Sequence, residues 1–488
     1  MQQAFPVGAA DLARAIAAGE IGSRQALDVF LERIERRNPA INAVVVQDIE
    51  GARARADAAD AARAAGQSWG PLHGVPMTVK DTWEVAGMVT ACGDPGLADY
   101  RPATTAVAVQ RLLDAGAIVF GKTNTPRMAQ DLQTYNKVYG TTNNPWDVSR
   151  TSGGSSGGAA AAVAAGFTAL ELGSDIGGSI RTPAHWCGVY GHKPSYGLIP
   201  MTGHIPGPPG TRSQPDLAVG GPLARDAADL ELAMDVLAGP DDLAGRAWRL
   251  SLPPARHSSL ADFRIGCWFD DEFAPIDTET RRLQGTLATA LEGAGAEVDA
   301  SPDLPVRFPD SFLLYQQLLN AVVGAGIPPK LYRRARRAAA LFRLMRRTRA
   351  GTLGGFVAEA TQSHKTWAGA HERRERQRRD WAAFFERFDV LLMPVTATPA
   401  IPHNQEGNLF ARRIDVDGRA LPYHEMFKWI APPTSAYLPV TVAPIGRTAA
   451  GLPVGVQIVA PYLEDRTGIA FARLLADVIG GFVAPPAS

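Results

Sequence analysis

The sequence predicts one α/β domain spanning residues 1–488, a mixed central β-sheet covered by helices. Two observations predict it. From Leu72 onward, short apolar runs of strand length alternate with stretches of helical period. The composition, 46% hydrophobic and 20% charged over 488 residues, suits a globular chain that buries a sizeable core. No internal repeat or low-complexity segment breaks the alternation.

Residues 1–68 read as an N-terminal helical layer, with two helices in 8–37 and a third in 50–66. In the second helix Ser23 is the expected N-cap. Leu27, Phe30, Leu31 and Ile34 recur there at helical spacing, and Arg36-Arg37-Asn38-Pro39 ends it. Gly74 to Val79 is an apolar strand running into a loop at Lys80. Thr105 to Ala115 is helical and Ala117 to Phe120 a short buried strand. Further on, Gly188 to Pro200 reads as strand and loop, Asp226 to Ala238 as helix, Arg264 to Trp268 as strand and Glu279 to Gly293 as helix.

Residues 310–385 form an insertion of long helices, loaded with arginine between 331 and 379, Arg346, Arg347 and Arg349 among them. A basic helix of this kind could touch an anionic surface or tRNA; the expectation is a solvated face with Leu341, Phe342 and Leu344 buried beneath it. The strand Asp389 to Met393 follows, then Leu438 to Ile445 and Val454 to Ala460, and a helix from Thr467 to Val478. Phe410, Tyr423, Phe427 and Trp429 stand among prolines as an expected pocket wall. The loop Gly203 to Gly210 either lines an entrance or is plain surface.

Thr151 to Pro183 carries the chemistry. Two glycine-serine loops, Thr151 to Gly158 and Gly173 to Pro183, flank a run of alanines and a short strand. Glycine lets backbone approach a ligand closely, serine adds a hydroxyl that can attack or relay a proton, and consecutive loop N–H groups can cradle a developing anion. This points to acyl transfer. A serine nucleophile needs a base. Lys80, at the end of an apolar strand, is either that base or a paired structural charge, because burial lowers a lysine pKa.

The segments Leu72 to Pro76 with Lys80-Asp81, Gly121-Lys122-Thr123-Asn124, Asn144-Pro145-Trp146-Asp147 through Gly158, Gly173 to Pro183, Cys187-Gly188 and Gly451 to Gln457 carry a resemblance. Through them the sequence resembles the amidase signature family of serine hydrolases, along almost its whole length. The resemblance implies the amidase signature fold, with Ser179 as nucleophile, Ser155 as bridging serine after a cis peptide at Gly154, and Lys80 as base. The two serines are 24 residues apart, the family's usual spacing. The N–H groups of Ile176, Gly177, Gly178 and Ser179 would form the oxyanion hole, while Asp175 and Arg181 would hold the loop.

The implied reaction is hydrolysis of a carbon–nitrogen acyl bond through an acyl-enzyme, without metal or cofactor. The substrate expected is a small, uncharged, partly apolar amide, aryl amide, oligoamide or carbamate, with ester cleavage also open. The rival is the A subunit of a glutamine-dependent tRNA amidotransferase. Against it stand His192, where that subunit commonly has leucine, and a different continuation after Pro200. A catalytically silent binding protein is a second rival, disfavoured because all three catalytic positions hold competent residues.

Other classes recede. A net charge of +0 argues against a general nucleic-acid or membrane-surface role. Cys92, Cys187 and Cys267 give no disulfide framework and no zinc spacing, and they fit a cytoplasmic protein. Neither a signal peptide nor a membrane span is expected; a homodimer is a possible assembly. Gly116 to Thr123 satisfies a phosphate-loop pattern, but its loop positions are Ala-Ile-Val-Phe, which is strand, and Pro126 delays any helix. Gly153 to Gly157 satisfies the nucleophile-elbow pattern, but Trp146 to Arg150 before it reads as polar and turn-like. His185, His192 and His204 are expected to be structural or pocket-lining.

Overall fold

A computed structural model describes residues 8–345, 348 and 351–486. The expectations for Arg346, Arg347 and Arg349 lie outside the described residues, as do residues 1–7 of the N-terminal layer. The architecture is a mixed α/β fold around one eleven-stranded sheet. In chain order its strands are β1 (Val44–Gln47), β2 (Pro76–Lys80), β3 (Ile118–Thr123), β4 (Leu170–Asp175), β5 (Tyr190–Lys193), β6 (Val219–Ala224), β7 (Arg264–Cys267), β8 (Glu297–Asp299), β9 (Val390–Pro394), β10 (Val440–Arg447) and β11 (Pro453–Val459). Across the sheet they run β1-β3-β2-β4-β6-β5-β10-β11-β9-β7-β8. Strand β2 pairs parallel with β3 and β4, and β7 pairs parallel with β8 and β9. The pairs from β4 through β6, β5, β10 and β11 to β9 are antiparallel, so the sheet is mixed, as expected.

The α-helices of the first half are α1 (Ala9–Ala18), α2 (Ser23–Ile41), α3 (Ile49–Ala64), α4 (Val107–Asp114), α5 (Gly157–Ala164), α6 (Arg181–Cys187) and α7 (Ala227–Leu237). Those of the second half are α8 (Thr278–Gly293), α9 (Phe308–Ala325), α10 (Pro329–Leu344), α11 (Leu353–Ala360), α12 (His364–Arg387), α13 (Ala431–Ser435) and α14 (Asp465–Ile479).

The parallel β3-β2-β4 segment positions the site. Every residue of β2, β3 and β4 is buried, which explains the apolar openings of β2 and β3. Helix α5 packs beside them with all its residues buried. Only small side chains fit there: a Cβ on Gly158 would lie 2.4 Å from the Asn124 nitrogen and 2.9 Å from the Ala43 oxygen. Helix α6 follows the second loop and ends on Gly188, which adopts φ 69. It was not expected from the sequence; Pro183 lies in its first turn, where a missing N–H costs little.

Several local expectations are corrected. Helix α2 is not capped by the Ser23 side chain. Asp60 of α3 does it instead, accepting from the Ser23 N–H at 2.7 Å and the Arg24 N–H at 3.1 Å. Pro39 lies inside the last turn of α2, which continues to Ile41. Asp147–Thr151 is a strand, paired with Asn143–Asn144 in a two-stranded ladder outside the central sheet. In α10, Leu341 is 55% and Leu344 81% exposed, against the expectation that both are buried. The inward stripe of α10 is Ala339 with half-buried Tyr332, Ala335 and Phe342, and Arg343 donates to the Ala358 carbonyl of α11 at 2.9 Å. Gly116 to Thr123 runs into β3, and the Lys122 ammonium there pairs with Asp81 at 3.1 Å, both side chains fully buried, so no phosphate loop exists.

Candidate active site

Lys80 ends β2 with its side chain fully buried. Its Nζ donates to Ser155 Oγ at 2.6 Å and to Ser174 Oγ at 3.1 Å. Burial pushes the Lys80 ammonium down to about 7, because the charged form loses its water; Cys92, Asp175 and Glu171 oppose this in part. Asp81, the adjacent carboxylate, is turned to Lys122 instead. A neutral amine is therefore accessible near pH 7, within hydrogen-bond reach of a serine hydroxyl.

The two glycine-serine loops lie against each other. The Gly154–Ser155 peptide is cis. The Ser156 N–H donates to the Ser179 carbonyl at 3.1 Å, and Ser156 Oγ donates to the Ser174 carbonyl at 3.2 Å. Ser179 is 6% exposed. Ser174 is the neighbour that sequence reasoning missed; the signal was its place between Gly173 and Asp175, where a loop hydroxyl faces the end of β2.

Asp175 and Arg181 hold the second loop. Asp175 accepts from the Gly178 N–H at 2.9 Å, the Ile180 N–H at 3.0 Å and the Arg181 guanidinium at 2.9 Å. Burial pushes the Asp175 carboxyl up, but Arg181 and the Ile180 N–H outweigh it and hold it down at about 2. Arg181 also donates to the Ile430 carbonyl, the Gln457 side chain and Thr434 Oγ1 at 3.0, 2.9 and 2.7 Å. The Gly178 N–H is thus already engaged, which amends the expectation of four oxyanion donors. Those of Ile176, Gly177 and Ser179 have no protein acceptor among the described residues. Gly178 itself adopts φ 89, and a Cβ there would meet Ile430 Cδ1 at 2.6 Å. Arg181→Met should leave a buried unpaired carboxylate and lower stability by about 3–5 kcal/mol, read from urea melts. A loss below about 1 kcal/mol would contradict this account of the loop.

Of the four aromatic residues expected as a wall, only Phe427 reaches this loop: a Cβ on Gly177 would sit 3.4 Å from its ring and 3.2 Å from the Tyr315 hydroxyl. Trp429 is core, donating to the Ala274 carbonyl at 3.0 Å. Tyr423 is buried and donates to Asp131 at 2.7 Å, while Phe410 is 38% exposed and stands 5.9 Å from the Phe356 ring. His185 is fixed between the Thr398 carbonyl and the Gly455 N–H at 3.2 and 2.7 Å, and His192 between Thr441 and Asp465 at 3.0 Å each. His204 packs its ring edge-on against Trp83 at 4.6 Å. Among the described residues, neither histidine nor acid hydrogen-bonds to Ser155 as a nucleophile elbow would need; its side-chain partner is Lys80. All three cysteines are free and buried. Among the described residues, no group of three or more His, Cys, Asp and Glu could hold a metal ion, and no helix is long and apolar enough to cross a membrane.

A mixed sheet of eleven strands with two glycine-serine loops at the end of its parallel segment is the fold of the amidase signature enzymes. The chain belongs to the amidase family, whose model matches residues 25–468. It is 32% identical over 467 residues to the A subunit of the glutamyl-tRNA(Gln) amidotransferase of Synechococcus sp. (strain CC9605), covering 92% of this chain and 91% of that one. A solved inhibitor-bound chain, from a vestigial protein complex bearing on the origins of an s-triazine catabolic enzyme, superposes with a TM-score of 0.80 at 29% identity, covering 98% and 100% of the two chains. The 6-aminohexanoate cyclic dimer hydrolase, solved with its substrate, matches with a TM-score of 0.76 at 26% identity and 97% coverage of each chain.

Proposed function

We propose that this protein hydrolyses the carbon–nitrogen acyl bond of a small, uncharged, partly apolar amide or carbamate through a Ser179 acyl-enzyme. The observation that carries the reading is the 2.6 Å contact between the buried Lys80 amine and Ser155 Oγ, beside a loop with unshared N–H donors. Ser179 Oγ attacks the carbonyl carbon, and its proton passes through Ser155 to neutral Lys80. The oxyanion is held by the N–H groups of Ile176, Gly177 and Ser179. Collapse breaks the C–N bond, and Lys80 returns the proton through Ser155 to the leaving amine. Water then repeats the cycle on the ester, releasing the acid and restoring Ser179.

An uncharged substrate is supported by the pairing of the charges around the loops. Asp175 pairs with Arg181 at 2.9 Å, Asp131 with Arg412 at 2.6 Å and Lys428 with Glu425 at 2.7 Å. Half-buried Phe427 and Ile176 supply apolar surface. Amine release from a panel of amides, anilides and carbamates tests this; turnover confined to charged substrates would overturn it. Activity should also survive exhaustive chelation, and loss with EDTA reversed by zinc or manganese would count against the serine mechanism.

The second reading, the A subunit of a tRNA amidotransferase, is favoured by the 32% identity to one such protein over nearly the full chain. Copurification with partner subunits, and amide hydrolysis confined to glutamine in their presence, would establish it over the first.

A further inference from the structure

We propose that Tyr315 is a positioning residue for the oxyanion loop: its hydroxyl, donating to the Ile176 carbonyl, turns the Gly177 N–H toward the substrate carbonyl. The inference rests on the acyl-enzyme reading above and adds a residue to it from helix α9, which belongs to the arginine-rich helical region.

The geometry is specific. Tyr315 is fully buried, packed in the cluster that holds Leu318, Trp429 and Ala431. Its hydroxyl donates to the Ile176 carbonyl at 3.2 Å. That carbonyl shares a planar trans peptide with the Gly177 N–H, and in such a unit C=O and N–H point in opposite directions. Holding the oxygen therefore aims the hydrogen. The Gly177 N–H has no protein acceptor among the described residues, so it is available to a ligand.

The neighbouring peptides are fixed by other groups, since Asp175 takes the Gly178 and Ile180 N–H groups and the Ser156 N–H takes the Ser179 carbonyl. Among the described residues, the Ile176–Gly177 unit has only the tyrosine. Glycine at 177 gives that unit no side chain to anchor it and the widest choice of conformations. A Cβ there would be tight, 3.2 Å from the Tyr315 hydroxyl and 3.4 Å from the Phe427 ring, so the hydroxyl would have to give by a few tenths of an ångström. Burial pushes the Tyr315 phenol well up, so it remains a protonated donor wherever the enzyme works.

Tyr315→Phe keeps the ring in its cluster and removes only the donor. Losing one oxyanion donor outright costs about 10²–10³-fold in kcat, and loosening one should cost less, about 10–100-fold. The loss should fall on kcat, with KM changed less than about threefold, because the donor acts on the transition state. The test uses two probes on the purified full chain: an alkyl boronic acid, whose serine adduct is tetrahedral and anionic, and a slowly cleaved trigonal amide of the same alkyl group. Boronate affinity should fall in proportion to kcat/KM while amide affinity stays level.

Equal losses for both probes would mean a merely structural tyrosine and overturn the proposal, as would kcat/KM within about twofold of wild type. If Tyr315→Phe fails to fold, Gly177→Ala serves in its place: its Cβ meets the same hydroxyl, and it should show the same selective loss of boronate binding. A wild-type protein that binds the boronate no better than the amide, and keeps its turnover as Ser179→Ala, would overturn the acyl-enzyme reading and this proposal together. Failure in the Tyr315→Phe arm alone overturns only the proposal.

Discussion

Ser179→Ala is expected to lose turnover by about 10⁴-fold or more while keeping its fold. The size follows from covalent catalysis: without the hydroxyl no acyl-enzyme forms, and only binding and the loop donors remain. The retained fold follows from what Ser179 Oγ touches. Its backbone carbonyl accepts from Ser156, but its hydroxyl makes no hydrogen bond to protein among the described residues, so alanine strands no partner. Stability in urea should shift by less than about 1 kcal/mol. A fluorophosphonate should label the wild-type protein at one serine and leave the variant unlabelled. Labelling of Ser179→Ala at the wild-type rate would move the nucleophile elsewhere, with Ser155 and Ser174 the next hydroxyls to consider, since both hydrogen-bond to Lys80.

Much of this site was legible because it is local. Lys80 closes an apolar run, and a lysine there must be buried; Asp81 beside it had to find another cation, and Lys122 supplies it. The glycine-serine loops advertise close backbone approach, and Gly157-Gly158 do meet neighbouring atoms where a Cβ could not fit. What escaped the sequence depends on partners far along the chain. Asp60 caps α2 from 37 positions away, and Tyr315 reaches Ile176 across 139. No local pattern announces either.

Burial of α10 was misjudged for a related reason. Leu341 and Leu344 look like core beside arginines, but the face a helix buries is chosen by its neighbour, and small-residue α11 takes Ala339 and its stripe instead. The strand Asp147–Thr151 is polar because it pairs in a local ladder, with Val148 49% exposed, and no buried face imposes a period of two. The expected aromatic wall differs for the same reason: Phe427 and Trp429 are two positions apart, yet one stands beside Gly177 and the other fills the core.

The Lys80 variants separate a base from a structural cation. A base must be neutral when the substrate arrives. With its pKa lowered to about 7 by burial, Lys80 is charged below that pH and neutral above it. Activity should therefore rise through an acid limb centred near 7 and level off on the alkaline side, the opposite of a site that needs an ammonium. Buried Lys193 is lowered to about 7 as well, because its charged form also loses water, so the Lys80 variants and not the limb alone assign the base. Asp175 stays ionised down to about 2 and burial keeps His204 neutral well below its ordinary value, while Glu171, pushed up to about 8, ionises toward the alkaline end of the limb. Lys80→Arg keeps a positive charge but cannot accept a proton at working pH, so its rate should fall about 10²–10⁴-fold or more. Lys80→Met, neutral and of similar length, should be as inactive but well folded above about pH 7, where the amine it replaces is itself neutral. The pH profile of kcat/KM and a urea melt of each variant decide the matter. Suppose Lys80→Arg kept near-normal turnover while Lys80→Met unfolded. Lys80 would then be a structural cation, and the proton leaving Ser179 would need another acceptor.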